Sequence, residues 1–189
     1  MSSIEMIAVA LGIVNVALVV RRSLWNYPFG IVMVALYAHI FFGARLYSDA
    51  LLQLFFFVVQ IYGWAHWSRA AAAAGEVRVE RLGPRARLAW CAGSVVATAL
   101  WGWGMHRFTD AAFPWWDAAV AILSVAAQLL MSRRFLENWV LWIAVDLLAI
   151  GLYAAKDLWL TAGLYGVFLL LSIWGLLGWR GAERRMAMA

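Results

Sequence analysis

Seven apolar runs, each about as long as a bilayer crossing, occupy most of the chain: residues 4–20, 25–42, 50–67, 88–106, 115–131, 138–155 and 158–179. An α-helix rises about 1.5 Å per residue, so roughly 17 to 25 such residues cover a hydrocarbon core about 30 Å thick. Hydrocarbon offers no partner to an unpaired backbone amide, so open sheets and irregular spans are excluded and each run must be helical. Composition agrees: 66% hydrophobic and 13% charged residues leave too little polar surface to wet a soluble globule. The expected fold is an all-α membrane protein with the lipid bilayer as its partner. Thirteen Trp, many at the ends of runs, are expected to act mostly as interfacial anchors.

Short polar punctuations separate the runs, and only the stretch 68–87 is long enough to be a linker, with the alanines at 70–74 prolonging the third helix into water. The first run resembles a signal peptide in length. Two arginines follow it, no basic residue precedes it and no small-residue cleavage site is evident, so it is expected to remain as the first crossing.

An internal repeat organises these helices. Shifted by 112 residues, 11–67 aligns with 123–179 without a gap, with 15 identities in 57 positions. They include Arg21/Arg133, Arg22/Arg134, Leu24/Leu136, Asn26/Asn138, Leu46/Leu158, Gly63/Gly175 and Trp67/Trp179. Helices one to three therefore repeat as five to seven, and the run 88–106 has no counterpart. Four crossings separate equivalent helices, an even number, so the repeats are parallel. The expected plan is two parallel three-helix bundles joined by a linker helix, three plus one plus three as in SWEET carriers. Residues 1–67 form the first bundle, 68–114 the linker region, 115–179 the second bundle and 180–189 a tail.

Lys and Arg set the orientation. Arg21, Arg22, Arg69, Arg78, Arg81, Arg85, Arg87, Arg133, Arg134, Arg180, Arg184 and Arg185 fall on one face; Arg45, Arg107 and Lys156 fall on the other. The first face is expected to be cytoplasmic, with the N-terminus outside and the C-terminus inside. The net charge of +5 is spread over these loops and forms no aromatic-interleaved patch, so no nucleic-acid partner is expected.

Polar side chains within the crossings must carry the chemistry, because each costs free energy in hydrocarbon and persists by pairing or by lining a cavity. Asn138, Trp142 and Asp146 are spaced i, i+4, i+8 on the sixth helix and share a face. Asp146 is the carboxylate set well inside a crossing, and Trp142 offers a π face one turn away for a flat cationic ring; an interhelical hydrogen bond at Asp146 and ordinary packing of Trp142 are the alternative readings. Gln53, Gln60 and Trp64 form a second stripe on the third helix, and the repeat maps Gln53 to Tyr165 and Gln60 to Ser172. Amides suit ribose hydroxyls or a carboxamide; helix-to-helix hydrogen bonding accounts for such stripes equally well. Gln128 is a further candidate. The candidate substrate-binding residues are thus Gln53, Gln60, Trp64, Gln128, Asn138, Trp142, Asp146 and Tyr165. His39 is expected to be a packed or gate histidine, and Tyr153, Lys156 and Asp157 a solvated group at the outer end. A phosphate-binding loop, a zinc-protease motif, a serine-hydrolase elbow and a cysteine pair are all missing, which argues against an enzyme, a metal site or a cofactor. Cys91 stands alone in an apolar run.

Several motifs together carry a resemblance: Asn26-Tyr-Pro-Phe-Gly30, Leu46-Tyr-Ser-Asp49, Gln60-Ile-Tyr-Gly-Trp64-Ala-His-Trp67, Leu136-Glu-Asn-Trp139-Val-Leu-Trp142-Ile-Ala-Val-Asp146, Leu152-Tyr153, and Gly175 followed four residues on by Trp179. Over nearly its whole length the chain resembles the PnuC family of vitamin transporters, best known for nicotinamide riboside. The resemblance implies a facilitator of the bacterial inner membrane, typically a homotrimer, whose substrate is trapped by a separate cytoplasmic kinase. It also implies substrate contact at Trp142 and at Asp146 four residues on. Nicotinamide riboside carriers of the family tend to have Asn where this chain has Asp146, and related members move thiamine or riboflavin. Nicotinamide riboside and thiamine both carry a fixed positive charge; riboflavin is neutral and suits Asp146 less well. A sugar carrier of the SWEET type, which would need no buried carboxylate, and a non-transporting scaffold are the readings of other classes.

Overall fold

The computed structural model of the chain describes residues 3–43 and 47–188; Ala44 and Arg45 of the expected second punctuation, and Leu46 of the repeat, lie outside the described residues. Among the described residues the chain forms seven α-helices: α1 (Ser3–Val20), α2 (Asn26–Gly43), α3 (Tyr47–Ala74), α4 (Pro84–Phe108), α5 (Pro114–Ser132), α6 (Glu137–Ala155) and α7 (Trp159–Met188). Five are long and apolar enough to cross a membrane, and α1 and α2 hold the shorter apolar stretches Met6–Val20 and Asn26–Ile40. The alanines at 70–74 do prolong α3, whose 28 residues reach about 42 Å and outrun a bilayer core. Residues 180–188, expected as a tail, continue α7 instead, because Ala182 is buried and Arg81 hydrogen-bonds Glu183 at 2.6 Å.

Helix neighbours follow the repeat. α2 packs between α1 and α3, and α6 between α5 and α7, while α1 meets α7 and α3 meets α5, closing six helices into a ring. Among the described residues α4 packs against α5 alone. Its outer face presents Leu88, Val95, Leu100 and Trp101, all exposed.

The 112-residue repeat is visible bond by bond. After α1 the N–H of Arg22 donates to Val19 O (2.9 Å) and that of Ser23 to Leu18 O (3.0 Å). After α5 the N–H of Arg134 donates to Met131 O (2.9 Å) and that of Phe135 to Leu130 O (3.0 Å). Both are Schellman stops, which place the residue after the cap in the left-handed region. Here that residue is arginine, with φ of 56° at Arg22 and 66° at Arg134. Glycine would adopt this conformation without strain, whereas a side chain there costs about 1 kcal/mol. The Asn side chains four residues on repeat too: Asn26 Nδ2 donates to Ser23 O (2.7 Å) and Asn138 Nδ2 to Phe135 O (2.6 Å).

Three tryptophans depart from the anchor reading. Trp67, Trp139 and Trp179 are fully buried, where each aromatic body fills the seam between the two sets of three helices. Trp67 meets Tyr27 edge-on at 5.4 Å, Trp179 meets Trp139 edge-on at 5.5 Å, and Trp67 and Trp179 touch at 5.8 Å. The close approach is possible because Gly63 and Gly175 carry no side chain: a Cβ on Gly175 would lie 2.6 Å from the Trp139 ring, and one on Gly63 2.8 Å from the Tyr27 hydroxyl. Across the seam Trp67 Nε1 donates to Met131 O and Trp179 Nε1 to Val19 O, each at 3.2 Å. Helix-end carbonyls lack the usual intrahelical partner, and here one carbonyl of each Schellman stop takes a second bond, from an indole of the other repeat.

Candidate functional site

Asp146 is the tenth residue of the 19-residue α6, about 14 Å along the helix and so near mid-depth. It is 2% exposed, and the Ser172 hydroxyl on α7 donates to its Oδ2 at 2.8 Å. An ionised carboxylate at such a position costs about 2.5–3.5 kcal/mol on insertion scales. One hydroxyl satisfies a single lone pair of an acceptor with about four, so most of the capacity of Asp146 is left for something else. Among the described residues the other buried charged side chain is Arg134, which pairs with Glu80 at the arginine-rich end.

Gln60 is buried on α3, and its Oε1 has no hydrogen-bond partner among the described residues. A Cβ at Gly30 would strike the Gln60 amide and approach Asn15 Nδ2 to 2.7 Å, so Gly30, Gln60 and Asn15 are packed together. Asn15 itself is tied by Nδ2 to Asn26 O at 2.6 Å. The repeat counterparts of Gly30, Gln60 and Asn15 are Trp142, Ser172 and Ala127. The indole that the second repeat places on α6 is thus replaced in the first by two amides over a glycine, with bulk and polarity exchanged between facing helices.

The remaining candidates divide. Tyr165, seven residues before Ser172 on the same helix face, stacks on Tyr153 at 5.3 Å and shares a hydrogen bond with its hydroxyl. Trp142 is half-buried and packs against the buried aromatic cluster around Trp139 and Trp179. Asn138 is fully buried and its Nδ2 is committed to the α5–α6 turn, as Asn26 is in the first repeat, and its Oδ1 has no hydrogen-bond partner among the described residues. Gln128 is buried near the end of α5 and Gln53 is half-buried. Trp64 does not share the enclosure of Gln60: it is 41% exposed, with its ring parallel to Tyr27 at 6.5 Å. His39 is exposed, not packed, and Lys156 reaches Asp117 at 2.8 Å. An open apolar groove of about 320 Å³ between α4 and α5, lined by Trp90, Ser94, Ile122 and Val125 among others, contains none of these residues.

Ser172 and Asn15 are absent from the sequence-derived set. Both had a signal: Ser172 is the repeat partner of Gln60, and Asn15 interrupts an apolar run.

Two like sets of apolar helices, one shielding a carboxylate near mid-depth and the other shielding amides, define a multi-pass membrane transporter. The chain belongs to the nicotinamide mononucleotide transporter family, whose profile it matches over residues 2–181. It is similar to the nicotinamide riboside transporter PnuC of Escherichia coli (strain K12), at 29% identity over 97% of this chain and 87% of that protein. It is also 29% identical to the riboflavin/roseoflavin transporter RibM of Streptomyces davaonensis, over 96% of this chain and 86% of the relative. A crystal structure of the vitamin B3 transporter PnuC superposes with a TM-score of 0.78 at 31% identity, covering 96% of this chain and 82% of that one.

Proposed function

We propose that the protein carries a cationic B-vitamin, nicotinamide riboside above all, across the bacterial inner membrane by facilitated diffusion, and that a separate cytoplasmic kinase traps it. The observation that carries this reading is the buried Asp146, held by Ser172 and with acceptor capacity to spare. A cationic ring beside it supplies the missing counter-charge. A phosphate would instead face that carboxylate, with the buried Arg134 already paired to Glu80; a riboside fits this core better than its mononucleotide. Neutral riboflavin, the cargo named for the Streptomyces relative, gains nothing from the charge. Thiamine, also cationic, is the second reading, favoured by Asp146 standing where nicotinamide riboside carriers tend to have Asn.

In this reading Gln60, Trp142, Asp146 and Tyr165 face the substrate, Gln53 and Gln128 extend the polar path, and Asn138 and Trp64 support it from the turn and the rim. Residues 1–67 and 115–179 act as the two moving halves, with 68–114 between them. The N-terminus lies outside and the C-terminus in the cytoplasm, and α4 serves homotrimer assembly through its exposed apolar face. The protein returns its ligand chemically unchanged. Titration of the purified protein with nicotinamide riboside, thiamine and riboflavin, read by Trp fluorescence, tests the proposal. Binding of either cation at micromolar concentration supports it, and no binding below about millimolar, the −4 kcal/mol level, refutes it.

A further inference from the structure

Between α3 and α4 the chain crosses the arginine-rich end of the molecule in an extended strand-like path. Gly75, with φ of 74°, turns it out of α3. Side chains alternate over 76–80, with Val77 and Val79 buried and Glu76, Arg78 and Glu80 exposed; Arg81 is exposed too, and Leu82 turns back in and is buried. Val77 and Val79 belong to the same buried cluster as Tyr27, Trp67, Trp139 and Trp179. The segment therefore lies directly over the aromatic seam where the two repeats meet.

Its polar groups fasten it to both repeats. Glu80 forms a parallel bridge with Phe135: its N–H donates to Arg134 O at 3.0 Å, and its carbonyl accepts from the Leu136 N–H at 2.8 Å. Arg22 donates to Val77 O at 2.9 Å and lies 3.4 Å from Glu76; Arg134 pairs with Glu80. Further along, Glu137 accepts from the Leu82 N–H at 3.2 Å and from Arg87 at 2.9 Å. Arg22 and Arg134 are the two left-handed arginines. Strain held in place of glycine is retained where the side chain has a task, and at both positions the task is to grip this segment.

The bond network joins these contacts to the seam. Val19 O accepts from both the Arg22 N–H and the Trp179 indole, and Met131 O from both the Arg134 N–H and the Trp67 indole. Asp146 lies seven residues beyond Trp139 on α6, about 10 Å deeper. A solute leaving Asp146 toward this end meets the aromatic layer first and the strap above it.

We propose that residues 76–82 are the gate of the arginine-rich mouth, cytoplasmic in the orientation proposed above. Arg22 and Arg134 are its clasps, one on each repeat, so that separation of the repeats at this end and release of the strap are one event. Besides its buried valines and Leu82, charged and backbone bonds hold it, with Glu76, Glu80 and Arg81 reaching water. Three small apolar side chains and a few polar bonds are a smaller barrier to open and reclose than the packed indoles beneath.

Two measurements test this in a Cys91→Ser background. In proteoliposomes, Glu80→Cys with Phe135→Cys is oxidised to staple the strap to the α5–α6 turn. Nicotinamide riboside uptake is expected to fall at least tenfold and to return on reduction, while ligand-induced Trp fluorescence change in detergent stays within twofold. Uptake undiminished by a complete cross-link overturns the gate. The first arm rests on the transport reading; the second needs no substrate. Val34→Cys, a buried position that repeats Asp146, is labelled by a water-soluble maleimide from the arginine-rich side. Adding Glu80→Ala is expected to raise the labelling rate at least threefold, and an unchanged rate overturns the gate. Absence of uptake in the reduced protein with labelling raised by Glu80→Ala marks a wrong substrate and keeps the gate.

Discussion

Replacing Asp146 by Asn removes a charge and little else. The Asn carbonyl can accept the Ser172 hydroxyl hydrogen bond that Oδ2 accepts at 2.8 Å, and the volumes are nearly equal, so packing around the 2% exposed side chain is kept. What is lost is the attraction to a cationic ring. At about 5 Å and an effective dielectric of about 20, two unit charges attract by about 3 kcal/mol. Part of this offsets the desolvation of the carboxylate, which the Asn variant no longer incurs. A net loss of about 2 kcal/mol corresponds to a roughly 30-fold rise in Kd. Isothermal titration of both proteins with nicotinamide riboside and thiamine measures it, with riboflavin as the neutral control. The loss should persist from low to physiological salt, because a buried pair is screened far less than a surface one. Equal affinity of the two proteins for both cations, or an equal loss for riboflavin, would refute charge recognition at this residue.

Ser172→Ala leaves one lone pair of a buried carboxylate unsatisfied; a loss of about 1–3 kcal/mol should lower the thermal midpoint in detergent, and Ser172→Thr should recover part of it. Gly175→Ala drives a methyl into the Trp139 ring, where the built Cβ already stands at 2.6 Å, and overpacking of about 1–3 kcal/mol should appear as lower Tm and broader elution. Asp117→Asn breaks the partly exposed pair with Lys156, and since such pairs contribute about 0–1 kcal/mol, a Tm shift of more than a few degrees would contradict its being a surface contact.

Much of this fold was legible because hydropathy and duplication are one-dimensional signals. The runs located all seven helices, and the pairing of Arg21-Arg22 with Arg133-Arg134 marked two turns that prove to be the same Schellman stop. Asp146 was legible for the reason that a carboxylate amid apolar residues has few excuses. Less legible was anything set by which face of a helix meets which neighbour. Gln60 and Trp64 look alike as a stripe, yet one is buried and the other lies at the rim. The buried Trp139 looks like the interfacial tryptophans near it, since the glycine its ring packs on, Gly175, sits on another helix far along the chain; Gly63 likewise makes room for Tyr27 of α2. The alternation of Val77 and Val79 with Glu76, Arg78 and Glu80 was present in a stretch read as a linker; its period of two marks a half-buried extended segment.

The ring of six helices closes at two contacts, α1 with α7 and α3 with α5, and each carries one indole-to-carbonyl bond, Trp179 to Val19 and Trp67 to Met131. A ring with two such joints can yield at one while the other serves as a hinge. If the joints are not equally strong, the halves will swing about the firmer one, and the direction of swing becomes a property that single substitutions at Trp67 or Trp179 can reverse.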